Sequence, residues 1–234
     1  MKHTLKKNAV RAAGITMATA TLLVGSIAFA NPASDLTQSI TAGTLTTDIL
    51  NASRATVASP TAAMSAKAFS FDCYAGGSAS TGSLGTNSER LYVINPDGAD
   101  AGWSLTLAAT DGATDKWENS GATKTYDFND PAGSTAGCGD GGDADSIPGQ
   151  LTVNANAGTL TTDCVSCVTT NVTKGSSTGF NQGTTDSVPI LTAAAGSDDV
   201  WRGYLTGASL SQTIPAEQGV DSYTINLTLT VSAT

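Results

Sequence analysis

Short runs of alternating apolar and polar residues, separated by Gly, Asn, Asp and Pro, recur along most of this chain. Helical periodicity is almost absent after the first thirty residues, and the chain there is rich in Thr, Ser, Gly, Ala and Val. Alternation with a period of two is typical of half-buried strands, and the intervening residues favour turns. We therefore predict an all-β fold, specifically an antiparallel β-sandwich with long polar loop insertions.

Two of the runs have the clearest alternation. Trp103, Leu105 and Leu107 share one face of the first run, and a row from Tyr223 to Val231 shares one face of the second. Ser, Thr and Asn occupy the opposite faces, so each strand is predicted to meet a core on one side and solvent on the other. The predicted strands are residues 43–50, 66–73, 90–94, 102–109, 150–154, 158–163, 187–191, 200–205 and 221–232.

Two long polar insertions, residues 110–148 and 168–185, are expected to be loops. Loops of this length usually carry function or are disordered. The chain also contains an internal repeat, because Ala-Gly-Thr-Leu-Thr-Thr-Asp occurs at residues 42–48 and again at residues 157–163. The flanking sequences diverge, so we interpret the repeat as two strands in similar environments rather than as duplicated domains.

The first thirty residues have the three parts of a secretory signal peptide. Four Lys and Arg side chains precede an apolar run that ends in Ala28-Phe29-Ala30. A retained membrane anchor is the alternative, but three Thr and one Ser interrupt the apolar run, which is too short to span a bilayer comfortably. Residues 1–30 are therefore predicted to be cleaved, and residues 31–234 to form a single secreted domain that begins at Asn31.

The charge of residues 31–234 narrows the classes of partner. They contain twenty carboxylates and seven Lys or Arg, a net charge of roughly −13, and the one histidine, His3, precedes them. Nucleic acid and anionic membranes require basic patches, so we expect neither as a partner. The expected partners are cell-wall polysaccharide or peptidoglycan, other surface proteins, or further copies of this chain. Without histidine, Ser-His-Asp and Cys-His catalysis are excluded.

Four cysteines, Cys73, Cys138, Cys164 and Cys167, occur in a chain predicted to be exported, which favours two disulfides. Four cysteines allow three pairings. Cys164 and Cys167 are able to close a small local loop, so we favour this pair together with Cys73–Cys138. A redox-active Cys-x-x-Cys needs a thiol at a helix N-terminus, whereas the flanking Thr and Val residues favour a strand or a loop.

The densest acidic cluster lies in the first insertion. Its carboxylates belong to Asp127, Asp130, Asp140, Asp143 and Asp145, the last three among glycines. Ca²⁺ takes six to eight oxygen ligands from carboxylates and carbonyls on flexible loops. These five residues are therefore predicted metal ligands, with Ca²⁺ as the cofactor. Their spacing does not match an EF-hand loop, and a solvated acidic loop is the alternative.

Paired carboxylates beside an aromatic ring are the remaining catalytic pattern. The candidates are Asp198-Asp199 next to Trp201, and Asp115 and Glu118 on either side of Trp117. Glycoside hydrolysis needs two facing acids, whereas adjacent acids on a strand point to opposite faces. We therefore predict no catalytic residues and no enzyme activity, and a polysaccharide-acting enzyme is the less favoured alternative. The two tryptophans are also candidates for stacking on sugars in a binding module.

Residues 91–107, Leu-Tyr-Val-Ile-Asn-Pro-Asp-Gly-Ala-Asp-Ala-Gly-Trp-Ser-Leu-Thr-Leu, resemble the first signature of the WxL surface domain, with Trp103 and Leu105 as its Trp-x-Leu. The run from Ile214 to Val231, in which a Pro-Ala turn leads into an alternating strand, is similar to that family's closing strand. At the second Trp-x-Leu this chain has Asn226-Leu-Thr-Leu instead.

The resemblance spans about residues 43–234. It implies a β-rich domain bound non-covalently to a bacterial wall, with Trp103 and Leu105 as ligand-binding residues. Against that role, an aromatic residue within an alternating strand is more often part of a core.

Together these patterns favour a non-catalytic extracellular protein at the cell surface or in the cell wall of a bacterium, with a role in attachment or adhesion. A fibre or pilus subunit is the alternative. Residues 35–50 contain Leu36, Ile40, Leu45 and Ile49 among Ser and Thr, a pattern suited to a donor strand that completes a neighbour's sheet. The simpler interpretation is that this segment is the first strand of its own sandwich.

Overall fold

The computed structural model describes residues 38–98, 101–131, 138–141, 145–196 and 200–234, so the predicted signal peptide lies outside it. Contacts divide the chain into Met1–Ile40 and Thr41–Thr234, and the fold below belongs to the second unit. Nearly all its regular structure is strand, and the described helical turns are Gly76–Ser78 and Ala155–Ala157. The described part contains no helix with the length and apolarity needed to cross a membrane. The predicted all-β fold is confirmed.

Sixteen strands occur among the described residues. In chain order they are β1 (Thr46–Leu50), β2 (Ser80–Leu84), β3 (Arg90–Asn95), β4 (Trp103–Ala109), β5 (Trp117–Asn119), β6 (Thr125–Tyr126), β7 (Asn129–Asp130), β8 (Gly149–Asn154), β9 (Thr159–Thr162), β10 (Val172–Lys174), β11 (Ser177–Gly179), β12 (Ser187–Ala193), β13 (Trp201–Thr206), β14 (Ala208–Thr213), β15 (Tyr223–Thr224) and β16 (Leu227–Ala233).

These strands form antiparallel sheets. The orders are β1-β3-β13-β9, β11-β8-β14-β2 with β7 beside β8, β10-β12-β4-β16, and the small sheet β15-β5-β6. The first two sheets have matching orders, because β2 leads into β3, β8 into β9 and β13 into β14. The chain therefore passes from one sheet into the other at three neighbouring places, and we call the two sheets together the bent sheet and each of them a half-sheet.

Three glycines lie side by side at this bend. Gly207 joins β13 to β14 with φ +76°, and its N–H donates to the carbonyl of Gly85, which has φ +79°. At Gly158 a Cβ would lie 2.7 Å from the carbonyl oxygen of Thr206. Positive φ and close backbone approach both favour glycine, so these residues allow the sheet to turn. We call this feature the glycine bend.

The core lies on the inward faces of the bent sheet and of the β10-β12-β4-β16 sheet. Trp103, Leu105 and Leu107 alternate with polar residues along β4 and are fully buried. Trp103 packs against Trp201 of β13, with ring centroids 5.2 Å apart. Phe128 and Phe180 form a second buried aromatic pair beside them. The clearest predicted strand therefore supplies the centre of the sandwich, as its alternation indicated.

Most predicted strands are present, and the errors concern the segments around them. Residues 66–73 do not form a strand, although single bridges occur nearby at Met64 and Tyr74. The run predicted at 221–232 is divided into β15 and β16. The two insertions are not purely loops, because the first contains β5, β6 and β7 and the second contains β10 and β11. These strands are short and have little apolar alternation to reveal them.

The repeated heptapeptide contributes to the two outer strands of one half-sheet. Residues 42–48 lead into β1, which pairs with β3, and residues 157–163 contain β9, which pairs with β13. The repeat therefore marks two edge strands in similar positions, as the sequence indicated, and both belong to the unit Thr41–Thr234.

Candidate functional site

The cysteines form two disulfides, and no described cysteine is free. Cys73 pairs with Cys138, which joins the segment before β2 to the first insertion, and Cys164 pairs with Cys167 in a local loop after β9. This is the pairing that the sequence favours. Disulfides persist in oxidising compartments, so both are compatible with an extracellular protein.

The Trp-x-Leu residues of the WxL resemblance lie in the core. Trp103 and Leu105 point inward from β4 and are 1% and 0% exposed. Trp201, the candidate sugar-stacking residue of β13, is buried with them, and its indole N–H donates to the carbonyl of Val168 at 2.9 Å. The packing role of Trp103 and Leu105 is therefore established, whereas their ligand-binding role stays a prediction.

Only one of the two acid pairs that are candidates for catalysis lies among the described residues. Asp198 and Asp199 lie outside those residues. Trp117 is half-buried and stacks on Tyr126 at 5.8 Å with an interplanar angle of 7°. Glu118 is exposed, whereas Oδ2 of Asp115 is buried. The two carboxyl groups beside Trp117 therefore meet different environments.

A group of buried polar side chains lies where the first insertion meets β8. Asp127 and Asp130 are each 1% exposed, and Asn129 is 0% exposed. The chain here wraps closely around Gly149, where a Cβ would lie 2.1 Å from the carbonyl oxygen of Asp127. We call Asp127, Asn129 and Asp130, together with the half-buried Asp115, the buried acidic corner. Burial of carboxylates requires hydrogen bonds or cations in place of water.

Hydrogen bonds fix the side chains of this corner. Nδ2 of Asn129 donates to the carbonyl of Ala113 at 2.7 Å, which holds the amide against the turn that carries Asp115. Oδ1 of Asp115 accepts from the N–H of Lys116 at 2.8 Å, and Oδ2 of Asp130 accepts from the N–H of Gly141 at 3.1 Å. The buried atoms Oδ2 of Asp115 and Oδ1 of Asn129 accept no hydrogen bond from the described residues.

Gln212 of β14 forms hydrogen bonds that hold the backbone of the corner in place. Its Nε2 donates to the carbonyls of Asp127 at 2.9 Å and of Thr213 at 2.8 Å, and its Oε1 accepts from the indole N–H of Trp117. A single buried amide thus connects β5, β14 and the arc around Gly149. The predicted sugar-binding Trp117 is held by this network rather than presented freely to solvent.

The five predicted metal ligands occupy different environments. Asp127 and Asp130 belong to the buried acidic corner, Asp140 is exposed, and Asp143 lies outside the described residues. Asp145 forms a salt bridge with Lys116 and accepts the N–H of Ile147. Within the described ranges, no three side chains of the types His, Cys, Asp or Glu are placed to hold a metal. Sequence reasoning missed Asn129 as a ligand candidate, although it stands within the acidic run.

A second polar region covers the outer side of the β1-β3-β13-β9 half-sheet. Arg90, Tyr92, Arg202 and Tyr204 alternate with inward-facing core residues on β3 and β13, and Arg54 reaches the same side from the loop after β1. Tyr92 is buried beneath its neighbours, whereas the other four side chains are partly or fully exposed. We call these five residues the arginine–tyrosine face. They include every arginine of residues 31–234 in an otherwise acidic chain.

Contacts link the whole face. The Arg90 guanidinium lies 4.5 Å from the centroid of the Tyr204 ring, and the Tyr204 and Tyr92 centroids are 5.0 Å apart. The Tyr92 hydroxyl donates to Oδ2 of Asp163 at 3.1 Å, and burial, reinforced by this carboxylate and opposed by Arg90, raises the pKa of Tyr92. Arg54 and Arg202 form ion pairs with the same Asp163 carboxylate.

An open groove of about 1140 Å³ lies between residues 59–69 and residues 218–227. Its walls include the inward-facing row of the last strands, Tyr223, Ile225, Leu227 and Leu229, which are only half-buried. Core leucines such as Leu107 and Leu151 reach its floor. The last strand therefore has the predicted alternation, but the apolar side is not fully covered.

Comparison with known proteins identifies no relative of this chain, because no family model, curated protein or solved structure matches it.

Proposed function

We propose that this protein is a non-catalytic extracellular protein that attaches non-covalently to the polysaccharide or peptidoglycan of a bacterial cell wall, or to other surface proteins. The arginine–tyrosine face carries the proposal. Sugar rings stack on aromatic side chains, and guanidinium groups bind carboxylates through paired hydrogen bonds. Wall polymers offer both chemical groups, so their chemistry matches this face better than the acidic remainder of the surface.

The composition of the face supports an anionic or neutral partner rather than a cationic one. Three of the seven cationic side chains of residues 31–234 lie on it. Arg54 keeps about half of its side chain exposed, and Arg202 about one third, although both pair with Asp163. Exposed guanidinium groups beside a tyrosine ring are able to bind a ligand without a large change in the protein.

The proposal is tested by sedimentation with isolated bacterial walls. We expect the wild-type protein to sediment with the walls, and the double variant Arg90→Ala/Tyr204→Ala to remain mostly in the supernatant. The matched control is Lys67→Ala/Tyr74→Ala, which removes another cation–π pair, at 5.5 Å, away from the face. Equal sedimentation of the two variants, or no sedimentation of the wild type, would contradict the proposal.

A fibre or pilus subunit is the second candidate, and the open groove favours it. Donor-strand assembly places an extended apolar segment of one subunit against the uncovered sheet of the next. The groove offers half-buried side chains of the last strands, and Ile40 is 91% exposed in a segment without secondary structure. The simpler interpretation holds for Thr46–Leu50, which pairs with β3 as β1 of its own sandwich.

Electron microscopy of the same preparations separates the two candidates. Filaments that disappear in Ile40→Asp but persist in Ser39→Asp would favour donor-strand assembly, because neighbouring residues of an extended segment face opposite sides. Monomers that sediment with walls would favour attachment. Turnover of a wall polysaccharide by the purified protein would contradict both non-catalytic candidates.

A further inference from the structure

The side chain of Asn129 has a fixed orientation with a buried acceptor left over. Its Nδ2 already donates to the carbonyl of Ala113, and the reversed amide would bring two oxygens together at 2.7 Å. Oδ1 must therefore point away from Ala113, and within the described ranges no hydrogen-bond donor reaches it. Amide groups that are 0% exposed rarely leave an oxygen without a partner, because the loss of hydration is not offset.

Asp115 presents the same situation on the adjoining turn. One carboxylate oxygen accepts the N–H of Lys116, whereas Oδ2 is buried and receives no hydrogen bond from the described residues. The side chain of Asn129 donates its hydrogen bond to Ala113, which precedes Asp115 by only two residues. Two buried oxygen acceptors therefore belong to side chains that are connected through the turn at residues 112–115.

The chemistry of the missing ligand follows from these atoms. Both are acceptors, so the ligand must be a hydrogen-bond donor or a cation. Asp127 and Asp130 add two carboxylates that are each 1% exposed, and such a concentration of negative charge favours a cation over water. The oxygen-only donor set excludes metals that prefer nitrogen or sulfur, because every described cysteine is in a disulfide.

We propose that the buried acidic corner binds Ca²⁺ through Oδ2 of Asp115, Oδ1 of Asn129 and the carboxylate of Asp127. Ca²⁺ accepts mixed carboxylate and amide oxygens at variable coordination, whereas Mg²⁺ demands a near-ideal octahedron. The proposed site thus has two carboxylates and one amide oxygen, and the amide oxygen of Asn129 takes the place that a third carboxylate has in many calcium sites. The site thus differs from a solvated acidic loop, because it is centred on the buried corner and not on the exposed Asp140.

The corner is already organised for this ligand. Gln212 holds the carbonyl of Asp127, and the absence of a side chain at Gly149 allows residues 127–130 to wrap closely. The same network places Trp117 within two hydrogen bonds of Asp127. An indole so close to a bound lanthanide transfers its excitation energy, so Tb³⁺ serves as a luminescent substitute for Ca²⁺.

The test uses the purified protein with both disulfides intact and freed of metal by chelation. At about 10 mM Ca²⁺, roughly ten times the dissociation constant of weak extracellular sites, we expect the melting temperature to rise by about 3–6 °C. The same concentration of Mg²⁺ should give a smaller rise. Tb³⁺ luminescence excited through tryptophan should appear on binding and fall when Ca²⁺ is added.

Three variants locate the site. Asp115→Asn should weaken Ca²⁺ binding by about tenfold or more, since it removes the charge of a ligand. Glu118→Gln removes the same charge from an exposed residue of the neighbouring strand and should leave the affinity unchanged. Asn129→Asp preserves the shape and adds a charge, so it should lower stability without Ca²⁺ and tighten Ca²⁺ binding.

Several outcomes would overturn the proposal. An unchanged melting temperature and no Tb³⁺ signal in the wild type would mean that buried water satisfies the corner. Equal affinities for Asp115→Asn and Glu118→Gln would exclude Asp115. A response lost only in Asp140→Asn would move the site to the exposed part of the acidic loop. If Asp115→Asn fails to fold, a weaker affinity in Asn129→Asp would still contradict the proposed ligand set.

Discussion

The ionisation of Tyr126 is coupled to folding. Its ring is buried between Trp117, on which it stacks, and Tyr223, whose ring meets it edge-on at 5.0 Å. Burial is the main cause that raises the pKa of Tyr126 above its ordinary value, and the neighbouring Tyr223 adds to the effect. The folded protein therefore keeps this phenol protonated at a pH where the unfolded chain releases the proton.

We predict that the free energy of unfolding falls as the pH rises above about 10, the ordinary pKa of tyrosine. The group has no effect at lower pH, because both states are then protonated. Between pH 9 and 11 the loss due to Tyr126 is about 1.4 kcal/mol, provided that the folded phenol remains protonated. Urea unfolding at these two pH values should show a smaller loss in Tyr126→Phe than in the wild type.

Part of the alkaline loss should persist in Tyr126→Phe, because burial also raises the pKa of Tyr92. The double variant Tyr92→Phe/Tyr126→Phe should therefore depend least on pH in this range. An identical dependence in wild type and Tyr126→Phe would show that the Tyr126 phenol ionises within the folded state.

Residue-level chemistry was only partly accessible from the sequence. The concentration of Asp residues in 127–145 is visible as composition, and Asp127 and Asp130 do lie in a buried corner. The contribution of Asn129 depends on a hydrogen bond to Ala113, sixteen residues earlier, and the support by Gln212 comes from a strand 85 residues later. Such contacts follow from chain folding, so residue spacing does not reveal them.

At the scale of elements, two glycines of the glycine bend are required for different reasons, one for its backbone conformation and the other for the space around it. At Gly207 the constraint is the positive φ, because an added Cβ would have nothing nearer than Gly158 Cα at 3.9 Å. At Gly158 the constraint is steric, because a Cβ would lie 2.7 Å from the carbonyl oxygen of Thr206. Substitution of Gly207 therefore tests backbone strain, and substitution of Gly158 tests steric overlap, within the same bend.

We predict that Gly207→Ala destabilises the protein by about 1–2 kcal/mol through left-handed strain. Gly158→Ala should cost about 1–3 kcal/mol, because backbone atoms must move to admit the methyl group. Gly77→Ala is the matched control, with negative φ and open space, and should change stability by less than about 0.5 kcal/mol. Chemical unfolding of the three variants measures these values, and a neutral Gly158→Ala would mean that the bend relaxes freely.

Strands were predictable where apolar residues alternate clearly with polar ones and where a neighbouring strand is present. β4 lies between β12 and β16, and its strict alternation made it the clearest prediction. β14 also has two neighbours and alternates Ala208, Leu210 and Gln212 inward, but its small and polar residues hid the pattern. Residues 66–73 read as a strand because Phe69 and Phe71 alternate with polar residues, yet both rings are exposed. Alternation indicates an extended chain, whereas a strand also needs a neighbour.

At the scale of the whole molecule, the two disulfides differ greatly in the length of chain that they close. Cys73–Cys138 spans 65 residues and ties the segment before β2 to the first insertion, whereas Cys164–Cys167 spans three. A cross-link stabilises mainly by restricting the unfolded chain, and the restriction grows with the logarithm of the loop length. The longer loop should therefore contribute more to the stability of the folded state.

We predict that Cys73→Ala/Cys138→Ala lowers the free energy of unfolding by about 4 kcal/mol, and that Cys164→Ala/Cys167→Ala lowers it by about 2 kcal/mol. Urea unfolding of the oxidised protein and of each double variant measures the difference. Because Cys138 stands three residues before Gly141, which donates to Asp130, loss of the longer disulfide should also weaken Ca²⁺ binding at the buried acidic corner. A larger loss of stability from the Cys164–Cys167 pair would contradict the entropic argument, and would mean that the local loop supports β9 and β13 through native contacts instead.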